Sequence, residues 1–243
     1  MHFDVFILAF LFLCFIWSGF VRTGFGFGGN ALMLPIALLV ISDPLVIIPV
    51  TAVQAMLFSG FEVARNFKKV DWKKVGIIFL IISPAFAAGL YGLINLPDRV
   101  LTLAIYAITI AYGLSYIFQI KVRLNCKLLD LGSLLLGGYI TGFALSGSPP
   151  IVAVAMKYIP KNLLRNSLLT FWILVGATKL ITLGLAQIDL QLFLNIFSLP
   201  AVILGHYLGL KFHDHILKSQ KFYRLLGGVL LFISIIGILK ITI

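Results

Sequence analysis

Residues 23–30 read TGFGFGGN, and residues 141–148 read TGFALSGS. Gly24, Gly26 and Gly29 satisfy G-x-G-x-x-G, a spacing that brings backbone amides against a dinucleotide pyrophosphate. That chemistry needs a strand before the glycines and an acidic residue roughly 20 positions after them. Here an apolar run precedes them, and the next acid is Asp43, beside Pro44 in a turn. The nucleotide reading fails on its context. The backbone chemistry survives, because glycines permit tight turns and the amides at the start of a helix attract an anion. Ionisable side chains in apolar surroundings are functional candidates, and Arg22, Lys179 and His206 are of this kind. Arg22 and Lys179 would neutralise a bound anion or snorkel to an interface. His206 would couple a proton or make one buried hydrogen bond.

Other chemistry is excluded by what is missing. The chain has eight acidic residues and no H-E-x-x-H, nucleophile elbow or paired membrane aspartates. No catalytic residue, metal or cofactor is therefore expected. Scarce carboxylates also argue against a dedicated cation transporter. Cys14 and Cys126 stand alone, without metal spacing, and read as inert packing residues. The net charge of +11 does not imply nucleic acid. Of 19 basic residues, 14 fall in four short segments, 65–74, 121–127, 157–165 and 211–221, as in the cytoplasmic loops of membrane proteins.

The elements that position these residues follow from composition. The chain is 61% hydrophobic and 11% charged, whereas soluble domains are about half apolar and about a quarter charged. This predicts an all-α polytopic membrane protein, with no cleavable signal at the MHFD start. Helices are expected at residues 3–22, 31–41, 44–64, 74–95, 98–119, 128–145, 149–157, 162–187, 190–210 and 222–241. Segments 31–41 and 149–157 are too short to cross ~30 Å at ~1.5 Å per residue. Each follows one of the two glycine phrases.

The halves of the chain repeat. Pro84-Ala85-x-x-x-Gly89-x-Tyr91 returns as Pro200-Ala201-x-x-x-Gly205-x-Tyr207, and Thr51 corresponds to Thr170. The expected organisation is a first repeat over 1–119, a second over 128–243 and a cytoplasmic linker at 120–127. If all four basic segments are cytoplasmic, residues 3–41 and 128–157 form broken hairpins entering from opposite sides. About eight transmembrane helices then fall into two inverted repeats with re-entrant hairpins, the architecture of secondary transporters. Asn30 and Ser148 sit where N-caps of the half-helices belong, and Pro149 suits a first turn. The half-helix amides of both hairpins are expected to converge on one pocket for an anion. Packing is the competing account of such glycines, favoured for the Gly205-x-x-x-Gly209 pair. Glu62 reads as an ion-pair partner of Arg65, and Trp17, Trp72 and Trp172 as interface or packing aromatics.

GFGFGGNALMLP resembles the first signature of the TauE/SafE sulfite-exporter family, the toluene-sulfonate uptake permeases. SGSPPIVAVAMKY with Arg165-Asn166-Ser167-Leu168 is similar to its second, and the likeness covers essentially the whole chain. The resemblance implies transport of sulfite, sulfonates or related anions. It places Gly28, Gly29, Ser146, Gly147, Ser148 and Pro149 at the site; Asn30 stands where a further glycine is common. The reading is a permease of small anions in the cell membrane, with Arg22, Gly26, Asn30 and Lys179 completing the substrate site and His206 as proton-coupling residue. Its partners are a small anionic solute and the lipid bilayer, with no nucleic acid; a monomer and a homodimer both fit. The alternatives are a membrane scaffold or assembly protein that moves no solute, and an intramembrane enzyme.

Overall fold

A computed structural model describes residues 4–25, 29–119, 126–144, 148–217 and 220–242. These residues form ten α-helices, with no strand among them. They are α1 (Val5–Phe25), α2 (Gly29–Ala37), α3 (Pro44–Arg65), α4 (Trp72–Asn95), α5 (Asp98–Phe118), α6 (Lys127–Ala144), α7 (Ser148–Tyr158), α8 (Lys161–Leu185), α9 (Leu192–Leu217) and α10 (Gln220–Thr242). Seven, namely α1, α3, α4, α5, α8, α9 and α10, are long and apolar enough to cross a membrane. The chain is an all-α polytopic membrane protein. With nine and eleven residues, α2 and α7 reach only about half the hydrocarbon thickness.

Local sequence explains the ends and irregularities of these helices. Asp43 caps α3, its Oδ1 accepting the Leu45 N–H at 2.7 Å, with Pro44 in the first position where a missing N–H costs nothing. Burial raises the Asp43 carboxyl above its usual range; the Leu45 N–H lowers it, and Asp98 raises it further. Pro84 inside α4 cannot donate to the carbonyl four residues back, and the Ser83 hydroxyl takes that Leu80 oxygen instead at 2.8 Å. Large apolar side chains such as Leu80, Ile196 and Phe232 lie exposed on the spans, as lipid-facing residues do.

The helices gather into two compact units that do not follow the two sequence halves. The first holds α1, α2, the opening of α3, α5, α9 and α10. Here α1 packs chiefly on α9, and α5 on α10. A core of Val21, Leu32, Leu226 and Leu230, with Trp17, Phe20 and Tyr116 against it, ties α1 and α2 to α5 and α10. Gly237 makes room for the Tyr106 ring.

The second unit holds α3 from Ile48, α4, α6, α7 and α8. Its main contact joins α4 to α6. Glu62 of α3 pairs with Arg165 of α8 at 3.1 Å, not with Arg65, which lies over the Phe61 ring at 4.1 Å. Helix geometry explains the difference: Arg65 is three residues on and stacks on its own helix, while α8 brings a guanidinium from outside. Cys14 is buried as expected, whereas Cys126, read as a packing residue, is exposed just before α6.

Candidate functional site

Each unit contains one interrupted hairpin. In the first, α1 ends at Phe25 and α2 opens at Gly29. Gly29 is buried, and a β-carbon there would lie 2.6 Å from the Ser18 carbonyl oxygen and 3.0 Å from Cβ of Arg22. The amide end of α2 is thus pressed against the last turns of α1, an approach that glycine permits. Arg22 sits in that last turn, where a cation complements the negative end of the helix dipole.

Thr23, next to Arg22, donates to the Gly19 carbonyl at 2.9 Å and lies 2.6 Å from Nδ1 of His206 on α9. With its own proton directed to Gly19, Thr23 Oγ1 is placed to accept from Nδ1 when that nitrogen carries a proton. His206 therefore helps join α1 to α9. Gly205 and Gly209 flank it: a β-carbon on Gly205 would drive into the Ile16 carbonyl, and one on Gly209 would lie 2.7 Å from the Phe20 oxygen. These two glycines serve packing, as their spacing suggests.

In the second unit, α6 ends at Ala144 and α7 opens at Ser148, with Pro149 in its first turn. Lys179 of α8 is fully buried, and its ammonium donates to the Gly142 carbonyl at 2.5 Å. That oxygen lies in the last described turn of α6, so Lys179 reaches the carboxyl end of the arm that leads into the break, as Arg22 does in the first unit.

Three further polar groups were not among the sequence-predicted residues. Ser18 and Thr141 are fully buried, and their hydroxyls meet no partner among the described residues. Thr109, Thr170, Thr178 and Thr182 instead bond back to the carbonyl four residues earlier, as helical hydroxyls commonly do. Gln54 on α3 is also fully buried, and neither amide atom is met among the described residues. A buried polar group without a partner costs about 1–3 kcal/mol, so each marks a place where a polar ligand or water belongs. A signal for the hydroxyls was present: Ser18-Gly19-Phe20 resembles Thr141-Gly142-Phe143, although Thr23-Gly24-Phe25 matches it identically. Gln54 carries no repeat signal. Gly26, Gly28, Ser146 and Gly147, and the side chains of Asn30 and Ser148, lie outside the described residues.

Two broken hairpins, each with a cation at its lip, in a chain of seven apolar spans are features of a transporter rather than of a soluble binding protein. The family model described as "Sulfite exporter TauE/SafE" matches residues 11–237, nearly the whole chain. The chain belongs to the TauE/SafE sulfite exporter family. The match takes in both helix breaks and Arg22, Lys179 and His206. TauE/SafE is a family of membrane permeases, which makes this chain a multi-pass membrane protein of a transporter family. No curated protein and no solved structure matches the chain.

Proposed function

We propose that this TauE/SafE member is a secondary transporter of a small sulfur-containing or organic anion, such as sulfite or a sulfonate, in the cell membrane. Anion recognition belongs to the interrupted hairpins. One carries Arg22, Gly26, Gly28, Gly29 and Asn30; the other carries Ser146, Gly147, Ser148 and Pro149, with Lys179 set on Gly142 behind it. Half-helix amides supply hydrogen bonds and a positive dipole end, and the two cations offset the substrate charge. Ser18, Thr141 and Gln54 add hydroxyl and amide groups for oxyanion oxygens. Transport alternates exposure of these groups to the two sides of the membrane through two inverted repeats, 1–119 and 128–243, joined by the linker 120–127.

The observation that carries the reading is the pairing, in each unit, of a helix break with a cation at the end of the incoming arm. Packing alone does not require a fully buried ammonium on Gly142. Purified protein in proteoliposomes is expected to take up radiolabelled sulfite or a sulfonate against empty-vesicle controls. Ser148→Leu is expected to abolish that flux while the protein stays monodisperse. Wild-type flux by Ser148→Leu would remove the second hairpin from the site. Absence of flux for sulfite, sulfonates and thiosulfate with folded protein would leave the scaffold reading, for which the glycine contacts of Gly205 and Gly209 are a sufficient account.

A further inference from the structure

A groove of about 270 Å3 lies in the second unit between α4, α6 and α7, apart from the helix break. Lys74 and Lys127 line one end. Ile78, Ile81, Leu131 and Leu134 continue it along the two helices. α4 and α6 run in the same direction, since Gly138 meets Ile82 and Gly142 meets Phe86. The charged end of the groove therefore coincides with the first turns of both. α4 is a candidate span beginning at Trp72, an aromatic suited to the membrane–water boundary. Lysines at the boundary and an apolar floor leading inward match the shape of a lipid.

The polar end is unsatisfied in a particular way. Asp130 Oδ2 accepts from Lys157 Nζ at 2.7 Å and from the Tyr158 hydroxyl, so that carboxylate is already neutralised. Its other oxygen, Oδ1, is buried and meets no donor among the described residues. Lys74 and Lys127 form no ion pair with a carboxylate among the described residues; Lys74 Nζ stands 5.8 Å from the centre of the Tyr158 ring. The groove thus offers two cations for an anion and one acceptor for a neighbouring donor. At the lower end of ligand-pocket volumes, it takes a headgroup and the first part of one chain rather than a whole lipid.

We propose that the groove binds an anionic glycerophospholipid with a hydroxyl-bearing headgroup, namely phosphatidylglycerol. The phosphate lies against Lys74 and Lys127, a headgroup hydroxyl donates to Asp130 Oδ1, and one acyl chain follows the isoleucines and leucines. Clusters of lysine at a membrane surface recognise anionic lipid in this way.

The test uses the full chain, delipidated in detergent and titrated with dioleoyl phosphatidylglycerol or dioleoyl phosphatidylcholine under native mass spectrometry. Phosphatidylglycerol is expected to bind about tenfold more tightly. The double variant Lys74→Gln/Lys127→Gln is expected to lose that preference while still binding phosphatidylcholine as the wild type does. Ile81→Trp, which fills the apolar floor and leaves the charges, is expected to weaken phosphatidylglycerol binding, so the proposal stays testable if the double variant does not fold. Equal binding of both lipids by the wild type would overturn the proposal. So would undiminished phosphatidylglycerol binding by both variants, or displacement of the lipid by inorganic phosphate, which would mark a site for free oxyanions.

Discussion

At the α1–α9 crossing, Gly19 faces the backbone of Val202 and His206; at the α6–α4 crossing, Gly142 faces that of Phe86 and Leu90. In return Gly205 faces Ile16 and Phe20, and Gly89 faces Tyr139 and Phe143. The α9 positions stand 116 residues after their α4 counterparts, and the α6 positions 123 after those of α1. Both crossings are thus one design: a reciprocal pair of glycines that lets two helices touch backbone to backbone, as small residues do in lipid. Beyond the crossing they part. α1 is described for six residues past Gly19, to Phe25, and α6 for two past Gly142, to Ala144. The last turn of α1 holds Arg22 and Thr23. On α6 the basic group set on the last described turn comes from another helix, through Lys179 of α8. Two similar crossings therefore place a cation at a helix break by different routes.

The largest effect is expected from closing either crossing. Gly19→Leu and Gly142→Leu should each cost about 3 kcal/mol or more through overpacking and yield little monodisperse protein by size exclusion. Gly132→Leu, where a β-carbon meets open space, should behave as wild type. If Gly19→Leu folds normally while Gly142→Leu does not, the two crossings are not equivalent.

The cations come next. Arg22→Gln and Lys179→Met should each reduce anion flux roughly 10- to 100-fold, the range of a charge-assisted hydrogen bond. The routes differ, so rescue should differ: Arg22→Lys keeps the charge on the same helix and should recover part of the flux. Lys179→Arg must fit a larger head into a fully buried space and should not. Equal rescue at both positions would erase the distinction.

A smaller effect belongs to the matched hydroxyls. Ser18→Ala and Thr141→Val should raise the apparent KM for the transported anion about three- to tenfold, in line with one neutral hydrogen bond each, and leave thermal stability unchanged or higher. Lower stability with unchanged KM would make them structural. The smallest effect sharpens the role of His206. Thr23→Val removes its partner and should cost about 1 kcal/mol in unfolding assays while leaving the pH profile of uptake as it was. A shifted profile in that variant would tie the Thr23–His206 contact to proton coupling.

The ten helices were legible in the sequence to within a few residues at most ends, because apolar runs and turn residues are local signals. So were the two breaks, where glycine phrases meet runs too short to span. Arg22 and Lys179 were legible as charges in apolar surroundings. What Lys179 touches was not: α6 and α8 are brought together by folding, and no local pattern pairs residues 142 and 179. The register of the first crossing was also ambiguous on the page, since Ser18-Gly19-Phe20 and Thr23-Gly24-Phe25 both resemble Thr141-Gly142-Phe143.

By itself, then, the sequence determined that this chain lives in a bilayer, where its spans lie and where they are interrupted, since lipid admits only apolar, internally bonded segments. Only the tertiary structure decided that α9 and α10 join α1, α2 and α5 while α3 and α4 join α6, α7 and α8. It also decided that Gly19 makes a crossing with α9, and that Glu62 answers Arg165. Such choices depend on backbone contacts between segments far apart in the chain, and composition and spacing carry no information about which distant surface a helix will meet.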